Sequence, residues 1–167
     1  MRVSPVGFAC DSLDEVLAQA RESAEVTHNH PEGVRGAQAT ATAVFLARSG
    51  WTKADIKGYV EREFRYNLSE RLDDIREWYS FDVSCQGSVP QSIIAFLEAD
   101  GFEDAVRNAI SLGGDADTMA CIAGGIAEAF FGGVPDGIAA RTLATLDERL
   151  CGVVGAFRER FADRRTR

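Results

Sequence analysis

Apolar residues recur along this chain at steps of three and four, and strand-like alternation is nearly absent, so an all-α fold is expected. Ser12, with Glu15 three positions later, has the form of a capping box. Leu13, Val16, Leu17, Ala20 and Ala24 then line one face, which predicts a helix over 13–26. A second helix is expected from Val34 to Ser49, rich in Ala and Thr and stopped by Gly50; such small residues suit close helix packing. Thr52, preceding Asp55, caps a third helix toward Phe64, and Ser69 opens a short one through Trp78. From Tyr79 to Val89 the pattern lapses into an irregular connection. Pro90 then stands where a first helical turn tolerates it, and a buried helix is expected from Gln91 to Ala99. Phe102, Ala105, Val106, Ala109 and Ile110 mark the next, which ends in Gly113-Gly114. The cleanest stripe is Met119, Ile122, Ala123, Ile126, Ala127 and Phe130; the helix that carries it should be central and stops at Gly132-Gly133. Past Pro135, Leu143, Leu146, Leu150, Val154, Phe157 and Phe161 keep helical spacing up to a charged tail. No internal repeat or linker divides the chain, and residues 1–167 read as one domain.

With 167 residues and 46% hydrophobic content, such a chain can build a core without disulfide staples. Its 26 acidic against 18 basic side chains, a formal charge of −8, argue against nucleic acid or an anionic membrane as partner, since both need a basic face to displace counterions. An anionic ligand would need local help from helix N-termini, glycine-lined backbone amides or a bound cation. Cys10, Cys85, Cys121 and Cys151 include no pair at C-x-x-C spacing and fit the reduced thiols of a cytoplasmic protein. Residues 1–10 lack the apolar core of a signal peptide, and no stretch reaches the roughly 18 apolar residues of a membrane span. A cytoplasmic location is therefore expected.

Gly113-Gly114-Asp115-Ala116-Asp117-Thr118 is the string richest in possible chemistry. Two carboxylates and a hydroxyl sit on a glycine-loosened turn just before a buried helix, and hard cations such as Mg²⁺ ask for oxygen ligands of this kind. Helix capping explains the same residues, because Asp and Thr at a helix start satisfy free amides and suit the dipole. The only histidines, His28 and His30, flank Asn29 ahead of Pro31-Glu32-Gly33. Two imidazoles supply part of a tetrahedral zinc set; capping of the helix ends and contact with a phosphate or ribose are the other readings.

The ordered strings His28-Asn29-His30-Pro31-Glu32-Gly33 with Gly36-Ala37, then Cys85-Gln86-Gly87-Ser88-Val89-Pro90, then Gly113 to Thr118 resemble the ADP-ribosylglycohydrolases over nearly the whole chain. Met1 to Gly7 looks like an internal block of that family. The resemblance implies an all-α fold around two Mg²⁺ ions, Mn²⁺ in some members, and hydrolysis of the bond joining ADP-ribose to a protein side chain. It implies Asp115, Asp117 and Thr118 as metal ligands, with Asp117 bridging the ions. It also implies His28, and less directly His30, against the bound ADP-ribose. No catalytic acid or base is assigned. The family's G-D-x-x-G and T-D-D-T segments and its diphosphate loop have no counterpart here, so the chain is expected to be the truncated C-terminal portion of the fold and inactive by itself. The stripe on the helix leaving the acidic turn would then be bare, and a homodimer or a complementing N-terminal chain is expected to cover it. The alternatives are an inactive remnant that at most binds metal or ADP-ribose weakly, and a purely structural helical oligomer.

Overall fold

The computed structural model describes residues 1–161, so the charged tail lies outside the described residues. Among these the regular structure is helical throughout, as the periodicity predicts. The first helix, α1 (Ser4–Ala9), has no counterpart in the apolar pattern; it is six residues long, too short to display a period, and carries Pro5 in its first turn. In α2 (Leu13–Glu25) the Ser12 side chain accepts from the Glu15 amide at 3.3 Å. Glu15 reaches back to the Asp11 amide at 2.9 Å, one residue before the position a strict capping box would use.

The third helix, α3 (Pro31–Arg48), is enclosed on almost every side, with Ala39 to Val44 and Leu46 to Arg48 all buried. Contacts with α1, α2, α6 (Cys85–Leu97) and α8 (Ala116–Phe131) account for this enclosure. Its small side chains make the enclosure possible. Gly7 of α1 packs so tightly that a Cβ there would come within 2.5 Å of the Ala41 carbonyl oxygen. Thr52 caps α4 (Lys53–Phe64) by accepting from the Asp55 amide at 3.2 Å, and α5 (Leu72–Trp78) begins three residues later than its Ser69 signal suggests.

A larger difference concerns α6, which starts at Cys85 and not at Gln91. Ser84 accepts from the Gly87 amide at 3.1 Å, and the Ser88 and Ser92 hydroxyls donate to the carbonyls one turn back. Pro90 therefore sits inside the helix, where its missing N–H leaves one carbonyl without an intrahelical donor. The Cys85 to Val89 stretch read as irregular is thus the first turn of a buried helix.

The core joins α3, α4, α5, α6, α7 (Phe102–Ser111) and α8. The α8 stripe needs no second chain: Met119, Ile122 and Ile126 are 0%, 2% and 0% exposed within this chain alone. They are covered by α7, α6 and α3, which corrects the expectation that the stripe is left bare. Exposed apolar side chains lie elsewhere, at Trp78 (55%), Phe81 (70%) and Val83 (71%). The last two helices, α9 (Asp136–Leu143) and α10 (Glu148–Phe161), keep the expected periodicity but bury no residue, so their stripe is not part of the core. No helix among the described residues is long and apolar enough to cross a membrane.

Two cations stitch the helices together. Lys53 at the start of α4 stands over the rings of Phe96, Phe130 and Phe131 at 5.4–5.7 Å and donates to the Ala99 carbonyl, tying α4 to the C-terminal ends of α6 and α8. Buried Arg48 donates from Nε to the Gly7 carbonyl at 2.7 Å and from Nη2 to the Cys10 carbonyl. It thereby satisfies carbonyls at the end of α1, where the helix dipole favours a cation. Hydrogen bonds to charged groups contribute about 1.5–3 kcal/mol each, so Arg48→Met is expected to lower stability by roughly 2–4 kcal/mol in urea denaturation. A loss within experimental error would show that these bonds are matched by water in the unfolded chain.

Candidate functional site

The acidic turn is built by two consecutive glycines in the left-handed region, Gly113 at φ 75° and Gly114 at φ 63°. Side-chain-bearing residues adopt that conformation at a cost of about 1–2 kcal/mol each, so the pair belongs to the turn and not to chance. The turn delivers Asp115 as the residue before α8, Asp117 in its first turn and Thr118 beside it. Asp115 and Thr118 are partly buried and Asp117 is exposed.

Capping accounts poorly for these side chains. Asp115 makes no side-chain bond to the first amides of α8, and Asp117 accepts from the adjacent Thr118 amide at 3.0 Å. A hydrogen bond to the Asp115 carboxyl, and then that amide, hold the Asp117 carboxyl below the usual aspartate range. Neighbouring carboxylates repel each other when both are ionised, and a bound cation would offset that repulsion. The donor set is hard: two carboxylates and a hydroxyl fit Mg²⁺ or Mn²⁺ and would fill about half of a six-coordinate shell. Among the described residues no cluster of three or more His, Cys, Asp or Glu forms a metal site.

Met1 links this turn to the Cys85 motif: its sulfur accepts from the Thr118 hydroxyl at 3.5 Å, and its ammonium acts on the Cys85 thiol. Burial nonetheless raises that thiol, with Glu32 adding to the rise. Gly36 packs against Cys85 so closely that a Cβ would lie 3.2 Å from its Sγ. The starts of α3, α6 and α8 are thus brought toward one region, and the backbone amides and dipoles of helix starts favour negative charge.

Both histidines are exposed. His30 is the N-cap of α3, its Nδ1 accepting from the Glu32 amide at 3.2 Å, so capping describes its place in this structure. His28 Nδ1 pairs with the Thr27 hydroxyl at 2.8 Å, and Arg2 donates to that hydroxyl at 2.5 Å.

Tyr79 is absent from the sequence-based candidates. Its ring lies against Gly114, where a Cβ would come within 2.8 Å of Cε1, and its hydroxyl donates to the Gly87 carbonyl at 2.8 Å. Burial, then the charges of Asp82 and Asp115, push its phenol above the usual tyrosine range. Asp82 anchors the same connection by accepting from the Ser84 amide at 2.7 Å, which holds its own carboxyl low. Nothing in the local pattern announces Tyr79, because its partners are distant in sequence.

Residues 1–166 match the family model described as ADP-ribosylglycohydrolase. Among known proteins, the ADP-ribosylhydrolase ARH3 of Bos taurus is 29% identical over 177 aligned residues, covering 79% of this chain and 48% of its own length. The Homo sapiens ARH3 is 30% identical, covering 79% and 49%. An uncharacterized protein of Archaeoglobus fulgidus is 29% identical, covering 75% and 46%. The chain therefore spans about half the length of the curated relatives it matches. A solved structure titled "ADP-ribosylglycohydrolase-related protein complex" superposes with a TM-score of 0.67 at 24% identity, over 91% of this chain and 54% of that one, which supports the shared fold.

Gly114 is the point at which the turn tolerates least change, combining positive φ with contact against the Tyr79 ring. Gly114→Ala is expected to cost roughly 1–3 kcal/mol in chemical denaturation, while Gly113→Ala, which would meet nothing within 4 Å, should cost only its backbone share. Equal losses for the two would remove the ring contact from the account.

Proposed function

Because the chain belongs to the ADP-ribosylglycohydrolase family, we propose that it carries one share of a divalent-cation site that serves hydrolysis of an ADP-ribosyl bond on a protein side chain. The observation behind this reading is the pairing of Asp115 with Asp117 at the start of α8, beside Thr118 and without a capping role for Asp115. Asp115, Asp117 and Thr118 would hold the cation, Mg²⁺ or Mn²⁺. When bound, it supplies charge neutralisation and Lewis acidity toward the ribose hydroxyls and an attacking water.

The chain's own residues do the positioning. Gly113 and Gly114 bend the backbone so that carboxylates two positions apart face one ligand, which a regular helix would not allow. The starts of α3 and α6 offer amides for a diphosphate, and this offsets the unfavourable net charge of −8 for an anionic substrate. In this reading His28 and His30 contact ADP-ribose from the rim. His30 would have to leave its cap on the Glu32 amide or present its other ring nitrogen. The four free thiols suit a reducing compartment, and the proposed location is the cytoplasm.

Three oxygen donors leave the remaining coordination positions to water, to substrate or to another stretch of polypeptide. A complementing chain or a second copy that supplies them would find its apolar contact surface at Trp78, Phe81 and Val83 and not on the buried α8 stripe. The second reading, an inactive homologue that only binds cation or ADP-ribose weakly, draws on the same half-filled donor set.

Residues 1–167 alone should bind Mn²⁺ weakly, on the order of millimolar, and Asp117→Asn should abolish that binding in calorimetry. Tight binding indifferent to the substitution would place the cation elsewhere. The same stretch alone is expected to release no ADP-ribose from ADP-ribosyl-arginine or ADP-ribosyl-serine. Turnover that vanishes in Asp115→Asn would instead show that its own residues suffice.

A further inference from the structure

The two glycines that shape the acidic turn are unequal. Around Gly113 nothing lies within 4 Å of where a Cβ would stand. Gly114 is roofed by the 79–81 backbone and the Tyr79 ring, with Phe81 Cα and the Ser80 carbonyl oxygen each 3.5 Å from the same point. A turn of two left-handed glycines is otherwise the most freely jointed stretch a chain can have, so its geometry must be imposed from outside. Tyr79 is well placed to impose it. Its amide donates to the Ile75 carbonyl at 2.9 Å, Ile75 is fully buried, and the hydroxyl at its far end is bonded to Gly87 in the first turn of α6.

We propose that Tyr79 is a positioning residue for the acidic turn: pinned between α5 and α6, its ring fixes Gly114 so that Asp115 and Asp117 converge on one ligand. The proposal rests on the cation reading of those carboxylates. The ring acts from behind the turn and touches no ligand itself. Removing it frees both glycines, and the two carboxylates then have to be ordered by the cation at the moment of binding. Partners that orient metal ligands in this way commonly carry about 10–100-fold in affinity.

The test uses the chain with Mn²⁺ as probe, following free Mn²⁺ by electron paramagnetic resonance in wild type, Tyr79→Leu, Tyr79→Phe and Asp117→Asn, with melting curves and amide hydrogen exchange on each. The expected result is a loss of about tenfold in affinity for Tyr79→Leu with cooperative melting retained. Substantial recovery is expected in Tyr79→Phe, which keeps the ring and gives up only the bond to Gly87. Exchange should quicken at 113–118 and not within α8. A Tyr79→Leu variant that binds Mn²⁺ as wild type does would overturn the proposal. If wild type and Asp117→Asn are alike in showing no binding, the cation reading fails by itself. Exchange in the metal-free chain then decides on Tyr79: quickened exchange confined to 113–118 upholds its hold on the turn, and unchanged exchange refutes it. Should Tyr79→Leu not fold, Tyr79→Met takes its place, and unaltered affinity with unaltered exchange at 113–118 in that ring-less variant would count against the proposal.

Discussion

A Cβ on Gly7 would collide with the Ala41 carbonyl, and one on Gly36 would press into Cys85 and Val89. These two close approaches, both within the 36–44 stretch of α3, express the condition on which the fold rests: α3 has to be thin. Its run of Ala, Thr and Gly lets α1, α2, α6 and α8 come near its axis, and the large side chains that fill the remaining space come mostly from the neighbours, among them Ile93, Phe96, Met119 and Ile122. A bulky residue in place of Gly7 or Gly36 would push α1 or α6 outward. Because close-packed interiors transmit such strain, the shift would extend beyond the point of contact.

The same condition sets the candidate site. Once α6 and α8 are drawn against α3, the starts of all three helices are brought toward one region, and the segments leading into them must approach each other. The connection at 79–84 and the turn at 113–115 are those segments for α6 and α8. Their meeting, through Tyr79 against Gly114 and Gly87, follows from core packing more than from attraction between loops. Apolar burial supplies a driving force of about 1.5–3 kcal/mol for each large side chain such as Ile122. By comparison, the hydrogen bonds within the turn are few and exposed. Core packing thus places the turn that carries both carboxylates.

Much of this architecture was legible in the sequence, for identifiable reasons. Ser12 with Glu15, and the Met119 to Phe130 stripe, are signals confined to one helix, and the corresponding helices stand where those signals place them. The start of α6 departs from the sequence pattern because Pro90 resembles a first-turn proline, whereas Ser84 caps the helix earlier and the serine hydroxyls bond within it. Helix α1 was too short to show a period. The α10 stripe has the right spacing yet buries nothing, since periodicity reports which face is apolar and not whether a neighbour covers it. At the candidate site, Asp115, Asp117 and Thr118 stand out in the sequence as two carboxylates and a hydroxyl behind a glycine pair, and the structure places them together at the start of α8. Tyr79 does not stand out, because its role exists only once two distant segments meet.

Burial of the α8 stripe also means that the proposed three-donor site would sit on an ordered scaffold. Met119 and Ile122 are held by helices of this same chain, so the helix that presents Asp115, Asp117 and Thr118 draws its packing from within residues 1–161. Under the proposed cation site, whatever completed the coordination would not have to fold the helix; it would only have to meet a face already formed. Trp78, Phe81 and Val83 are exposed, and they would supply the apolar part of the contact that the proposal requires. The α8 stripe is separate from that contact, because a surface already spent on the core has nothing left to offer a partner.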